Sequence, residues 1–136
     1  MKQKNILAIL VVMAMVLLTI PMVTAEETTE TIQYEGVMGD INTMSSNPME
    51  VEYDPETNTM TGTIHVNGHE WEIYNSKCSR GRHTLYVEKH NGAKTTYRFY
   101  PYYGCNFGDN EVEGFWMSGS WFSGGFGWIE LNKVQQ

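Results

Sequence analysis

The stretch GFWMSGSWFSGGFGWIEL, residues 114–131, holds three of the four tryptophans of this chain and five glycines. Strand alternation places Gly114 and Trp116 on one face of its first arm. In the same way it places Gly127 and Ile129 on one face of its second arm. Glycine inside a strand marks a kink or a close approach, and strands of a small barrel bend sharply around mixed large and small residues. The stretch therefore predicts a hairpin that closes a small barrel, with an open aromatic-rich sheet as the alternative.

Two hairpins upstream have registers that the residues themselves can test. In TIHVNGHEWEI, residues 63–73, the pair Asn67-Gly68 predicts a two-residue type I′ turn. That turn pairs Ile64 with Trp71 and gathers the apolar residues of both arms on one face. Thr63, His65, Glu70 and Glu72 fall on the other face, and a slip by one residue would mix the two sets.

The next hairpin, residues 83–100, favours a three-residue loop over a two-residue turn. A loop of residues 90–92, with Gly92 left-handed in a bulge, pairs Leu85 with Tyr97 on the inner side. The same register pairs Glu88 with Lys94 outside, as opposite charges across the strands.

Earlier strands are predicted near 32–38, 49–54 and 59–66, with Pro55 in the turn between the last two. The whole chain then has the pattern of an all-β protein: a single antiparallel up-and-down meander barrel of about eight strands over residues 32–136. Closure removes the exposed sheet edges that promote aggregation.

This strand pattern resembles the calycin-like barrels, of avidin type and lipocalin type, and the resemblance implies a small ligand held inside. It covers most of residues 32–133 and rests on strand pattern alone. Lipocalins carry Gly-x-Trp in the first strand, whereas the segments GFW and FGW of this chain lie in the last two. No family site residue is carried over.

Residues 1–25 are predicted to be a signal peptide. Lys2 and Lys4 precede an apolar run from Ile6 to Ile20, and VTA at 23–25 supplies the small residues of a cleavage site. An uncleaved anchor is the alternative, and would be the chain's only contact with a membrane. Residues 26–31 are predicted to be a loose acidic tail, and the protein is expected to be secreted or in the cell envelope.

The charge of the chain excludes one class of partner. Without Lys2 and Lys4, the formal charge falls from −7 to −9, because residues 1–25 contain no acidic residue. Such a surface repels phosphate backbones and argues against nucleic-acid binding.

The chain has two cysteines, Cys78 and Cys105, and an even pair in an exported protein predicts a disulfide. In a meander, successive connections alternate between the two ends of the barrel. The end that we call the top receives residues 39–48, 67–68, 90–92 and 118–125. The end that we call the bottom receives 55–58, 76–83 and 101–110, so both cysteines are predicted in neighbouring bottom loops.

Each end offers candidate binding residues. At the bottom, Arg80, Arg82, Tyr102 and Tyr103 are of the residue types that dominate binding hot spots. The alternative there is that the tyrosines plug the barrel floor and the arginines are solvated or stack on them. At the top, Trp121 and Phe122 lie in a Gly/Ser loop, where they would either line a ligand mouth or fold down as a lid.

No catalytic or metal motif is recognisable, so no enzyme activity and no cofactor are predicted. His65 is expected to point outward, His69 inward, and His90 lies in a turn, so no convergent set of ligands forms. Cys78 and His83 would resemble a thiol–imidazole pair, but the predicted disulfide removes the thiol.

The sequence therefore favours an exported, non-catalytic β-barrel binding protein. Its partner would be a small apolar molecule at the top, or an extracytoplasmic protein or glycan at the bottom. One alternative is a secreted inhibitor of a hydrolase or protease that uses residues 26–31 or a protruding loop. Deletion of 26–31 would then abolish inhibition and leave ligand uptake unchanged. A purely structural protein of the cell envelope is the other alternative.

Overall fold

A computed structural model describes residues 30–120 and 124–135, which form eight antiparallel strands. The strands are β1 (Ile32–Asp40), β2 (Ser45–Asp54), β3 (Thr59–Val66), β4 (His69–Ser79), β5 (Arg82–Glu88), β6 (Lys94–Pro101), β7 (Glu111–Met117) and β8 (Phe126–Lys133). Each pairs with the next, and β8 pairs with β1, so the meander closes into a barrel as predicted. No helix among the described residues has the length and apolar character to cross a membrane.

The predicted signal peptide, residues 1–25, lies outside the described residues, as do residues 26–29 of the predicted tail. Trp121 and Phe122 lie outside them as well.

Both upstream hairpins have the predicted registers. Ile64 pairs with Trp71 across the Asn67-Gly68 turn, whose two residues both have positive φ as a type I′ turn requires. In the next hairpin Leu85 pairs with Tyr97 and Glu88 with Lys94. The three-residue loop is closed by the Lys89 amide, which donates to the carbonyl of Ala93 at 2.8 Å.

Inward-facing glycines allow the barrel wall to close tightly. A Cβ atom at Gly36, Gly62, Gly114 or Gly127 would collide with a backbone carbonyl oxygen of the neighbouring strand. At Gly127 that oxygen belongs to Gly39, and the indole Nε1 of Trp116 would be the next atom met. The glycines among the tryptophans therefore mark close backbone approach, as the opening stretch predicted.

The first top connection is shorter than predicted. It spans residues 41–44 and not 39–48, because β2 starts at Ser45 and continues through Pro48. Residues 45–48 pair only with β1, whereas the pairing of β2 with β3 begins at Met49. Pro48 therefore lies where the strand has one partner, and its missing N–H leaves no gap in the ladder.

The predicted bottom loop 76–83 is also wrong in extent. β4 runs to Ser79 and β5 starts at Arg82, so the connection is the pair Arg80-Gly81, with φ of 55° and 76°. Cys78 is consequently a strand residue paired with His83 and not a loop residue. Two positive φ values form a tight type I′ turn, for which a glycine at the second position was the available signal.

A β-bulge between Ile73 and Asn75 of β4 decides which residues face inward beyond it. Before the bulge Trp71 and Ile73 face inward, and after it Ser76 does so. The buried Ser76 hydroxyl accepts a hydrogen bond from the Met60 amide at 2.6 Å and so satisfies a strand N–H inside the barrel. The bulge thus shifts the alternation by one residue, so that beyond it the opposite set of β4 residues faces the interior.

All eight strands contribute buried side chains to the barrel interior. Its buried apolar residues are Tyr34, Met38, Met49, Val51, Tyr53, Met60, Ile64, Ile73, Leu85, Val87, Tyr97, Phe99, Phe107, Val112, Trp116, Ile129 and Leu131. Phe107 is the member of this set that comes from a connection and not from a strand.

Candidate functional site

The top of the barrel contains a cavity of about 240 Å³. Residues of six strands line it. They meet there because side chains alternate along each strand and these face the barrel interior. Its apolar wall consists of Met38, Ile64, Val66, Trp71, Tyr97 and Trp116, and its polar wall consists of Asp40, Thr43, Ser45, Asn47 and Asn67. Four of the apolar residues are buried, whereas Thr43 and Asn67 are exposed. The cavity is therefore apolar at depth and polar at its mouth.

Aromatic rings at the depth of the cavity are held in fixed orientations. The Trp116 indole Nε1 donates to the carbonyl of Gly39 at 2.7 Å. Tyr97 packs edge-on against the Trp116 ring, with 5.3 Å between the centroids. Burial of Tyr97 raises the pKa of its phenol, and the nearby charge of Asp40 raises it further, so the hydroxyl stays protonated at neutral pH.

Trp71 stands at the mouth and is tied to the loop of residues 89–93. Its indole Nε1 donates to Nδ1 of His90 at 3.1 Å, and the ammonium of Lys89 lies 5.0 Å from the ring centroid. Both cavity tryptophans thus have their single donor bonded within the protein. What they offer a ligand is ring surface.

Asp40 gives the cavity its charge. Within the described residues the cavity wall has this one carboxylate and no lysine, arginine or histidine. Asp40 Oδ1 accepts a hydrogen bond from the Asn42 amide at 2.9 Å. The two hydroxyls at the mouth, those of Thr43 and Ser45, bond to each other at 2.6 Å.

The three histidines predicted to point outward, to point inward and to lie in a turn are His65, His69 and His90, and they form no group of three metal ligands within the described residues. His65 faces outward, with Nε2 3.6 Å from Oε1 of Glu50. His69 pairs with the cavity residue Val66, on the inner side as expected, and it is exposed because it starts β4 at the mouth of the barrel. Its ring stacks on His90 with centroids 3.9 Å apart. The lone pair of an imidazole nitrogen lies in the plane of its ring. Because the two rings are stacked in parallel planes, one metal ion could not lie in the planes of both.

The bottom, in contrast, is filled. Phe107, from the 102–110 connection, packs with 4.7 Å between its ring centroid and that of Tyr53. Its ring also contacts those of Tyr34, His83 and Phe99. The cavity left near the 102–110 connection is about 20 Å³, the volume of a single water site.

His83 is fully buried beneath this plug, which sequence reasoning did not predict. Its Nε2 lies 2.9 Å from the Cys105 carbonyl, so the neutral ring donates there, while Nδ1 has no partner among the described residues. Burial lowers the pKa of His83, and the bond to Cys105 acts in the opposite direction. The imidazole is therefore neutral at physiological pH.

The predicted disulfide joins Cys78 to Cys105 beside this histidine. The ligand atoms of the two cysteines and His83 lie within 4.8 Å of one another, a spacing that would suit a metal. The sulfurs are bonded to each other, however, and no thiolate is present to bind one. The group is a structural cross-link.

The four candidate residues of the bottom are placed outside the barrel. Tyr102 and Tyr103 are 66% and 90% exposed, so the expectation that tyrosines plug the floor is wrong, and Phe107 takes that place. Arg80 is an exposed turn residue, and Arg82 is half-buried with Nη1 donating to the Tyr100 hydroxyl at 3.3 Å. These residues share the bottom, where Tyr103 lines the cavity of about 20 Å³.

Sequence reasoning missed the cavity residues Met38, Asp40, Tyr97 and Trp116 as site residues. The inward positions of Trp71 and Tyr97 follow from the predicted registers, which do not indicate that these residues border a cavity. A cavity remains where the side chains that face the interior have too little total volume to fill it. That comparison requires the positions of all eight strands, which local sequence does not give.

Fold and site together define a closed eight-stranded meander barrel with a plugged bottom and an aromatic cavity at the top. No protein-family model, curated protein or solved structure matches this chain.

Proposed function

We propose that this chain is an exported binding protein that takes a small molecule into the cavity at the top of the barrel. The observation that carries the proposal is the cavity itself: about 240 Å³ of space framed by aromatic side chains inside a closed barrel. Ligand sites are concave and mostly apolar, with a few oriented polar groups. The arrangement at the top has each of these properties.

The size of the cavity limits the ligand to a small molecule. An apolar cavity of about 150 Å³ binds benzene, and drug-sized ligands occupy about 300–1,000 Å³. A cavity between these values holds one ring with a short chain. The interior position is also where the calycin-like barrels, which this strand pattern resembles, hold their ligands.

Export is supported by the N-terminal pattern of residues 1–25 and by the Cys78–Cys105 bond. Disulfides persist in oxidising compartments and are rare in the cytosol. We place the protein outside the cytoplasm, where small molecules are captured before uptake or removal.

The test is to purify the exported full-length protein and identify co-purifying small molecules by native mass spectrometry. Val66→Trp would fill the mouth of the cavity and should abolish retention of the molecule. His65→Trp adds the same ring on the outward face of the same strand and should leave retention unchanged. Circular dichroism of both variants controls for folding.

A second pair of variants examines the other end. Arg80→Ala and Tyr103→Ala should leave retention of the molecule unchanged, because both side chains are at the bottom. If these variants abolished binding and Val66→Trp did not, the bottom would be the binding surface and our proposal would be wrong. Trp121→Ala, in the top loop 118–125, should weaken binding if that loop covers the mouth.

A further inference from the structure

We propose that the molecule bound at the top is a small organic ammonium with one apolar ring. This inference rests on the proposed function and specifies its ligand. It is carried by two features that meet in one cavity: aromatic ring surface without free donors, and a single carboxylate.

The aromatic surface suits a cation. Ring faces carry partial negative charge and attract ammonium groups within about 6 Å, most strongly at tryptophan. Trp71 and Trp116 have their Nε1 donors bonded to His90 and Gly39. Since these donors are occupied, the indoles cannot serve an anionic ligand. The chain itself already brings one ammonium, that of Lys89, to 5.0 Å from the Trp71 ring.

The carboxylate of Asp40 lines the same cavity as Tyr97, whose hydroxyl it influences electrostatically. Within the described residues Asp40 has one hydrogen bond, from the Asn42 amide to Oδ1, and no ion pair. Oδ2 is therefore available to an ammonium N–H, which would form a charge-assisted hydrogen bond. No cationic residue of the described wall competes for it.

The hydrogen-bond donors of the other polar groups on the wall are partly occupied. The Asn47 amide nitrogen donates to the Met38 carbonyl at 3.3 Å, and the hydroxyls of Thr43 and Ser45 bond to each other. An anion would have to approach Asp40 with no cationic residue on the described cavity wall to compensate it. The net charge of the whole chain, −7, also favours a cationic ligand over an anionic one.

The probes are three molecules with the same ring and different charge: 2-phenylethylamine, 2-phenylethanol and phenylacetate. Each is titrated into the full-length protein at neutral pH and low salt by calorimetry. Indole N–H chemical shifts of Trp71 and Trp116 report where the probe binds. We expect the amine to bind about tenfold or more tightly than the alcohol, and phenylacetate to show no binding.

Asp40→Asn should remove most of the preference for the amine and leave the affinity for the alcohol nearly unchanged. Asp109→Asn is the matched control, since it removes one carboxylate at the bottom, and it should preserve the preference. Raising the salt concentration should weaken amine binding more than alcohol binding.

The outcomes separate the two proposals. Equal affinities for amine and alcohol, or an unchanged preference in Asp40→Asn, would overturn the ammonium assignment and leave a binding cavity at the top. If no probe shifted the Trp71 and Trp116 signals, and Val66→Trp still retained the co-purified molecule, both proposals would be overturned.

Discussion

The two ends of the barrel use aromatic residues in opposite ways. At the bottom, Phe107 inserts among other rings and fills the interior, and a disulfide anchors the loop that carries it. At the top, Trp71 and Trp116 have their polar atoms tied back to the protein and leave space between them. We infer that the packed bottom stabilises the barrel and that the top can therefore remain open. The predictions below test this division.

Removal of an aromatic ring should lower the free energy of unfolding more at the bottom than at the top. Phe107→Ala removes a buried ring from the plug and should lower the free energy of unfolding by about 3–5 kcal/mol. Trp71→Ala at the half-buried mouth should lower it by about 1–2 kcal/mol, mainly through lost packing and one hydrogen bond. Urea denaturation of both variants gives the two values. Equal losses would mean that the ends do not differ as we infer.

Removal of the disulfide should have the next largest effect. In the chain-entropy model, a cross-link across 27 residues stabilises by about 3–4 kcal/mol. Cys78→Ala with Cys105→Ala should lower the unfolding free energy by that amount. Tyr103→Ala, an exposed change in the same loop, should alter it by less than about 0.5 kcal/mol. A disulfide-free variant as stable as the native protein would show that the plug needs no anchor.

The frame of the top should be rigid even though its interior is open. Gly127→Val would place methyl groups against the Gly39 carbonyl and the Trp116 indole, which are themselves hydrogen-bonded. Overpacking of this kind costs about 1–3 kcal/mol. Thermal denaturation should show the loss, whereas Glu130→Gln, an exposed change on the same strand, should be near neutral. An unchanged melting temperature for Gly127→Val would contradict the close approach of β8 and β1.

The buried imidazole of the bottom should make stability depend on pH. Burial lowers the pKa of His83 below its ordinary 6.5, so the unfolded chain binds this proton more readily than the folded one. The contribution of the neutral His83 to the free energy of unfolding is complete above pH 6.5, the ordinary pKa. It is lost as the pH falls from there towards the lowered pKa of the folded state. Its slope is at most about 1.4 kcal/mol per pH unit.

His83→Gln keeps an N–H donor for the Cys105 carbonyl but does not titrate in this range. Unfolding free energies at pH 7.5 and 5.5 should fall less between these values in the variant than in the native protein. His65→Gln is the control from the outer surface and should retain the native slope. Identical slopes in the native protein and His83→Gln would mean that the buried ring is not the titrating group.

Local sequence was sufficient wherever a turn and its flanking strands decide the structure together. Asn67-Gly68 and the 90–92 loop set two registers by short-range geometry, and side-chain alternation then sorted both faces. The glycines of residues 114–131 indicated closure, because only a residue without Cβ fits where backbones approach this closely. The pairing of Cys78 with Cys105 followed from their number alone.

Only the tertiary structure decided which end is open. The bulge of β4 lies where the pairing with β3 ends, at Ile73, while the pairing with β5 continues, and it reverses the alternation that sequence patterns follow. Phe107 lies in a connection without periodicity, so nothing local indicates that it inserts into the barrel. The cavity, likewise, is the volume left when side chains of six strands meet. This unfilled volume depends on packing between residues far apart in the sequence, so a pattern of neighbouring residues does not predict it.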